Sequence, residues 1–206
     1  MLTTPDVTVS FPDVVKGRET DSGGRQYSVV LLFRKDNKEH MAFLKRYSAA
    51  CQEVADAMPD KIRPSYKMVG HAKSPIKDAD IVENQKGQIV AEAYPEREGC
   101  YYISAACYGS KPSTVGLNSN GSIYEILDPS AFYSGAICRA NINPYGRTRS
   151  DNPGVSNGLN GLMFVRDGER IGGGRPSDEE MWGQAPKAPE KQEDAGGLDD
   201  DNPFDL

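Results

Sequence analysis

Histidine is nearly missing from this chain of 206 residues; His40 and His71 are the only two, and they lie far apart. The four cysteines, Cys51, Cys100, Cys107 and Cys138, form no CxxC pair. A zinc site draws its ligands from clusters at short spacing, so none is expected, and the cysteines are expected to be free, mostly buried thiols. Two histidines also leave few candidates for a Ser/His/Asp or Cys/His catalytic arrangement. Apolar residues are scarce, at 37% of the chain. No apolar run approaches the roughly 20 residues that cross a bilayer; the longest is Val29-Val30-Leu31-Leu32-Phe33. The amino-terminal MLTTPDVTV has neither a basic nor a long apolar stretch, which excludes a secretory signal from the reading. The expectation is an intracellular, cytoplasmic protein without membrane partners.

Glycine and proline are plentiful, at 21 and 14 residues, which predicts many turns and some sequence outside the core. The net charge of -6 is unevenly placed. From Ser177 onward ten acids face two bases, a net -8, whereas residues 1–176 carry 22 bases and 20 acids, a net +2. A mildly basic body and an acidic tail suggest that the body meets something anionic and that the tail competes for the same surface. The expected organisation is a domain over 1–176 and a disordered acidic tail over 177–206, rich in Pro, Gly and acids.

Within the body, residues 7–11 alternate as a short strand, and 25–33 (RQYSVVLLF) follow the turn Asp21-Ser22-Gly23-Gly24 as a second. One amphipathic helix comes next. Asn37 caps it, Leu44, Tyr47, Cys51, Val54, Ala55 and Met58 recur at helical spacing, and Pro59 stops it after about five or six turns. Residues 59–98 mix lysines with prolines and hold strand-like pieces near 66–69 and 89–93. Strands resume at 100–109, 112–116, 135–146 and 162–168. Several short strands and one helix point to a small barrel or sandwich.

Two strands carry the candidate chemistry. In GAICRANINPYG, Ile137, Arg139, Asn141 and Asn143 share one face, while Ala136, Cys138, Ala140 and Ile142 form a small apolar face suited to a barrel interior. An ordinary solvated face would look the same, and this strand alone does not separate the two. In CYYISAACYG, Tyr102 and Tyr108 flank Ser104 and Ala106 on one face. Open tyrosine rings on a sheet can stack bases of a single strand, at about 1–3 kcal/mol each; cross-strand packing is the alternative. IGGGRPS lacks the GK[ST] ending of a phosphate loop. Asp78-Ala79-Asp80 is a possible metal pair for a nuclease, but no third ligand stands at a suggestive spacing, and no cofactor or metal is expected.

The blocks EILDPSAFYSGAICRANINPYG (125–146) and GVSNGLNGLMFVRDGERIGGG (154–174) resemble phage single-stranded DNA-binding proteins related to the helix-destabilising protein of short-tailed coliphages. The shared pattern is Asp128-Pro129, Tyr133-Ser134-Gly135, Asn141 to Tyr145, Gly158-Leu159-Asn160 and Val165 to Gly173, with Gln26-Tyr27-Ser28-Val29 earlier. The resemblance implies an OB-fold, a five-stranded Greek-key barrel with a helix between strands. It implies a protein without enzymatic activity that coats single-stranded DNA in phage replication, recombination and repair, promotes annealing and forms homodimers. On that reading Arg139, Asn141 and Tyr145 line a groove and Arg147 and Arg149 contact phosphates. Tyr102 and Tyr108 stack on bases, and Lys73, Lys77 and Lys111 extend a basic track. An annealing recombination protein and a nuclease are the alternative activities.

The ending DDDNPFDL is similar to the DDDIPF tip of bacterial single-stranded DNA-binding proteins, in which the phenylalanine enters an apolar pocket with a basic rim. Asp199, Asp200 and Asp201 would meet such a rim, Pro203 would stiffen the approach and Phe204 would fill the pocket. Here Asp205 and Leu206 follow the ring, so Leu206 would take the terminal role. The partners implied are replication or recombination proteins: a polymerase, helicase-primase, nuclease or recombinase.

Overall fold

The computed structural model describes residues 1–21, 23–149 and 152–172. A two-residue strand β1 (Leu2–Thr3) leads into β2 (Val7–Glu19), which turns back at Thr20–Gly24 into β3 (Arg25–Arg34). Helix α1 (Lys38–Asp56) follows. The Asn37 side chain caps it, accepting from the backbone N–H groups of Glu39 (2.9 Å) and His40 (3.2 Å), two of the donors a helix start leaves unpaired. After a long excursion containing β4 (Lys77–Asp78) and the short helix α2 (Val90–Ala93), the chain lays down β5 (Cys100–Tyr108), β6 (Ser113–Leu117), β7 (Ile123–Glu125), β8 (Ile137–Arg147) and β9 (Gly154–Arg166).

Strands β2, β3, β5, β9 and β8 hydrogen-bond in that order, and β8 returns to β2, so the ring closes. All of these pairings are antiparallel except β5 with β9, a parallel seam of two residue pairs, Ala105 with Asn157 and Ala106 with Gly158. Closure removes free edges from the ring. This is the expected OB-like barrel with one main helix. β1 adds to the outside of β8, and β6 and β7 extend the sheet beyond β9.

Alternation fills the interior as predicted for β8: Ala136, Cys138, Ala140 and Ile142 are fully buried. Val9, Val29, Leu31, Phe33, Ile103 and Leu162 complete the lining. Helix α1 packs against β3, β8 and β9, and its buried stripe contains His40, Phe43, Leu44, Tyr47, Cys51 and Ala55. Phe33, Phe43 and Tyr47 stack in series, with ring centroids 5.5 and 5.7 Å apart. Burial raises the Cys51 and Cys138 thiols to about 12, so neither is a ready nucleophile.

The parallel seam is pinned by one side chain. Asn157 accepts from the Tyr47 hydroxyl (3.0 Å) and donates to the carbonyls of Pro75 (2.9 Å) and Ser104 (3.1 Å). It thereby joins β9, α1, β5 and the excursion.

Three expectations are corrected. Residues 66–69 were expected to be strand-like, but only Val69 forms an isolated bridge, to Ile76. Residues 89–93 were expected to be strand-like, but Val90–Ala93 is a helical turn. It seats Val90 beside Ala79 and Val82 over Leu32, Cys100 and Tyr102, forming a second apolar cluster on the outside of the barrel. The strands expected over 7–11 and 162–168 are longer, 7–19 and 154–166, because bulges let β2 and β8–β9 bend around the ring without ending. The tail expected beyond residue 176 lies outside the described residues.

Replacing Asn157 with alanine takes the partner from the buried Tyr47 hydroxyl and from the Pro75 carbonyl and removes the bond to the Ser104 carbonyl. The expected loss is about 2–4 kcal/mol of stability. Thermal unfolding should then fall by roughly 5–15 °C, and a loss below about 1 kcal/mol in denaturant titration would contradict the pinning role.

Candidate nucleic-acid interface

The outer apolar cluster covers only one end of the β3–β5 face. Register places Leu32 opposite Tyr102, Val30 opposite Ser104, Ser28 opposite Ala106 and Gln26 opposite Tyr108. The excursion sits on the first of these rows and leaves the small side chains Ser104 and Ala106 as an open floor. Around that floor is a cleft of about 370 Å³ whose lining includes Tyr66, Lys73, Lys77, Tyr108, Tyr145 and Arg147. Five residues expected in the interface from the sequence, Lys73, Lys77, Tyr108, Tyr145 and Arg147, are brought together here from three separate parts of the chain. Tyr108 is 63% exposed and Tyr145 38%, so both rings are open to a ligand. Arg149 stands exposed just beyond, after the end of β8.

The cations here are crowded. Lys77 is half-buried, and desolvation, followed by the nearby charges of Arg147 and Arg97, lowers its pKa. Among the described residues no acid lies within ion-pairing distance of Lys77. Arg97 is buried with its guanidinium 4.4 Å from the Tyr94 ring centroid, 5.4 Å from Tyr102 and 5.5 Å from Phe11. Desolvation lowers its pKa as well. Phe11 itself is 55% exposed and has a φ of 48°, a left-handed backbone rare for an aromatic residue, at the bulge where β2 shifts register. A patch of positive charge and open rings, with no balancing acid among the described residues of the cleft lining, is suited to an anionic chain carrying aromatic bases.

Four expected residues lie elsewhere. Tyr102 is 6% exposed, sandwiched between Lys77 and Arg97 within the outer cluster, and burial raises its pKa; its ring is not open for stacking. The single-face alternation of β5 is correct, but the excursion covers that end of the face. Arg139 and Asn141 line a second, more apolar cleft of about 360 Å³ with Val115, Leu162 and Met163. Arg139 is ion-paired with Asp6, and Asn141 bonds to Thr3 and Asn160. Arg139 and Tyr145 are six positions apart, about 20 Å along a strand, so the two ends of β8 reach different clefts. Lys111, in the β5–β6 connection, pairs with Glu125 at the end of β7. The partner-binding set Asp199, Asp200, Asp201, Pro203, Phe204 and Leu206 lies outside the described residues.

Sequence reasoning missed Tyr66, Phe11, Tyr94 and Arg97. The first stands among the lysines of 59–98, where no periodicity announces structure. The second precedes Pro12, a bulge signal within a strand. Asp78 and Asp80 do not form a metal pair. Both accept from Lys35, at 2.6 and 2.7 Å, and Asp80 also accepts from the Gly99 N–H. The Lys35 ammonium holds the Asp80 carboxyl below its usual range. Among the described residues no group of three His, Cys, Asp or Glu could hold a metal, and no helix is long and apolar enough to cross a membrane.

A closed five-stranded barrel with a basic, aromatic cleft across one face is the architecture of an oligonucleotide-binding barrel. Solved structures share the fold. The chain is similar to the single-stranded DNA-binding protein from bacteriophage Enc34, with a TM-score of 0.62 at 20% identity over 87% of this chain and 88% of that one. The same Enc34 protein in complex with ssDNA gives 0.57 at 18% identity, over 82% and 88%. The fold also matches gp2.5, a single-stranded DNA-binding protein encoded by bacteriophage T7, at 0.51 and 13% identity, over 82% and 92%. A family model described as Enterobacter phage Enc34, ssDNA-binding protein, matches residues 1–195, and the chain belongs to that family. No curated protein sequence matches it.

Because the folded state lowers the Lys77 pKa, keeping that ammonium charged opposes folding below the shifted pKa. Between the shifted and the ordinary value the unfolded chain holds the extra proton, so stability rises with pH there. Lys77→Met should therefore unfold at a higher temperature than the wild type at pH 7, and the gap should narrow as pH approaches 10. A variant that unfolds at a lower temperature would show that Lys77 supports the fold.

Proposed function

We propose that this protein binds and coats single-stranded DNA in phage DNA replication, recombination and repair, in the cytoplasm of the host cell. The observation that carries the reading is the convergence of Tyr108, Tyr145, Lys73, Lys77 and Arg147 on one cleft across the β3–β5 face. Membership of a phage single-stranded DNA-binding family supports it. Bases stack on Tyr108 and Tyr145, and the lysines and arginines neutralise phosphates. The protein acts by binding and not as an enzyme, in keeping with the engagement of Asp78 and Asp80 by Lys35.

The acidic segment from Ser177 carries a net -8 against +2 for the rest. In this reading it is a separate tail that competes with DNA for the cleft, and its tip, through Asp199–Asp201, Pro203, Phe204 and Leu206, recruits replication or recombination proteins.

Titration of a fluorescein-labelled oligothymidylate tests both parts. Tyr108→Ala and Tyr145→Ala should each weaken binding by about 1–3 kcal/mol. Arg139→Ala should leave it within about twofold, because that side chain lies in the other cleft and is held by Asp6. Affinity should fall as salt rises, since phosphate contacts release counterions. A chain ending at residue 176 should bind more tightly than the full chain at low salt. Salt-independent affinity, or weaker binding on truncation, would contradict the respective part.

A further inference from the structure

Within the proposed DNA cleft, three groups converge on one spot. Gly154, the first residue of β9, pairs with Arg147 at the open end of the β8–β9 ladder. A Cβ on Gly154 would lie 2.2 Å from the Tyr66 hydroxyl oxygen and 3.2 Å from Nη2 of Arg147. The two side chains therefore lean together over a backbone that only glycine leaves clear, at a φ of 153°. Tyr66 is held in place by stacking on His71, centroids 5.9 Å apart and rings within 8° of parallel. Lys77 lines the same cleft.

The Tyr66 hydroxyl and Nε of Arg147 are both buried and have no hydrogen-bond partner. Buried polar groups are ordinarily satisfied, and each one left bare costs about 1–3 kcal/mol. Both groups offer a proton, and the described lining of the cleft contains no carboxylate to accept one. A neutral amide or carbonyl would satisfy one donor and leave the crowded cations uncompensated. A phosphate, with two free oxygens and a negative charge, answers both needs.

We infer that Tyr66, Arg147 and Lys77 form a seat for one backbone phosphate of the bound single strand, fixing its register in the cleft. The inference rests on the single-strand reading and adds a defined anion site to it. The tyrosine hydroxyl donates to one phosphate oxygen and the guanidinium to another, while Lys77 supplies charge. The stacking residues are indifferent to sequence; the seat makes the spacing between bases and backbone specific.

The test uses the full chain and a labelled oligothymidylate. Tyr66→Phe removes a hydroxyl and nothing else; it should weaken binding about tenfold, with the salt dependence of affinity unchanged. Its unfolding temperature should stay level or rise, because an unpaired buried group has gone. Arg147→Met should weaken binding further and reduce the slope of log affinity against log salt by about 0.7. If the wild type binds and Tyr66→Phe binds equally well, the seat is refuted while single-strand binding stands. If the wild type does not bind the oligonucleotide, the underlying reading fails instead. Inorganic phosphate separates the remaining source of the same chemistry. At matched ionic strength, phosphate that raises the unfolding temperature of the wild type but not of Tyr66→Phe, without displacing the oligonucleotide, would assign the site to free phosphate and overturn the proposal; displacement that needs the Tyr66 hydroxyl is the expected result.

Discussion

Three hydrogen bonds from one buried amide hold the closure of this barrel. The parallel seam between β5 and β9 is only two residue pairs wide, too short to be strong on backbone bonding alone. Asn157 lies in it and reaches Tyr47 on the helix, the Pro75 carbonyl in the excursion and the Ser104 carbonyl on β5. The helix can seal the barrel only if Tyr47 finds a partner for its hydroxyl, because a buried hydroxyl without one opposes folding. The excursion can rest against the barrel only if its backbone is satisfied where it turns over β5. One side chain answers both demands, and the position of the cleft follows from it. Pro75 precedes Lys77 by two residues, and Ser104 is part of the cleft floor.

The excursion is thus both cover and wall. It buries Leu32, Cys100 and Tyr102 in a second apolar cluster and stops short of Ser104 and Ala106, leaving an open trough beside it. Its charged residues are handled in two opposite ways. On the outside, the Lys35 ammonium is shared by Asp78 and Asp80 and clamps the middle of the excursion to the end of β3. On the cleft side, Lys77 and Arg147 share the lining with no acid among its described residues, and Arg97 behind Tyr102 has only Glu96 at 3.8 Å; desolvation lowers the pKa of both Lys77 and Arg97. Such an arrangement opposes folding locally, and an anionic ligand relieves it. Strain at Phe11, the bare donors of Tyr66 and Arg147, and the crowded cations all lie along the same face.

Much of the barrel was legible in the sequence. The β-branched run at 25–33, the Asn37 cap with Pro59 as terminator, and the small apolar face of 136–142 each obey local rules that tertiary structure did not override. The cleft was half legible. Tyr108, Tyr145 and Arg147 lie on strands whose alternation can be counted, and the resemblance of 125–174 to a phage family supplied the barrel to hang them on. Tyr102 and Arg139 obey the same alternation but fall elsewhere. Alternation says which face a residue takes, not what covers that face or how far a bent strand carries it around a ring. Residues 59–98 carry the missing information, and they have little periodicity because they are built from turns, isolated bridges and side-chain clamps.

The central claim is that single-stranded DNA lies across the β3–β5 face and not in the second cleft on β8, β9 and β6. Photocrosslinking tests it most directly: an oligonucleotide carrying 5-iododeoxyuridine at successive positions is irradiated with the full-length protein, and the linked peptides are mapped by mass spectrometry. The account predicts adducts at Tyr108 and Tyr145. Adducts confined to peptides containing Arg139, Asn141 or Met163, with none on those tyrosines, would contradict it.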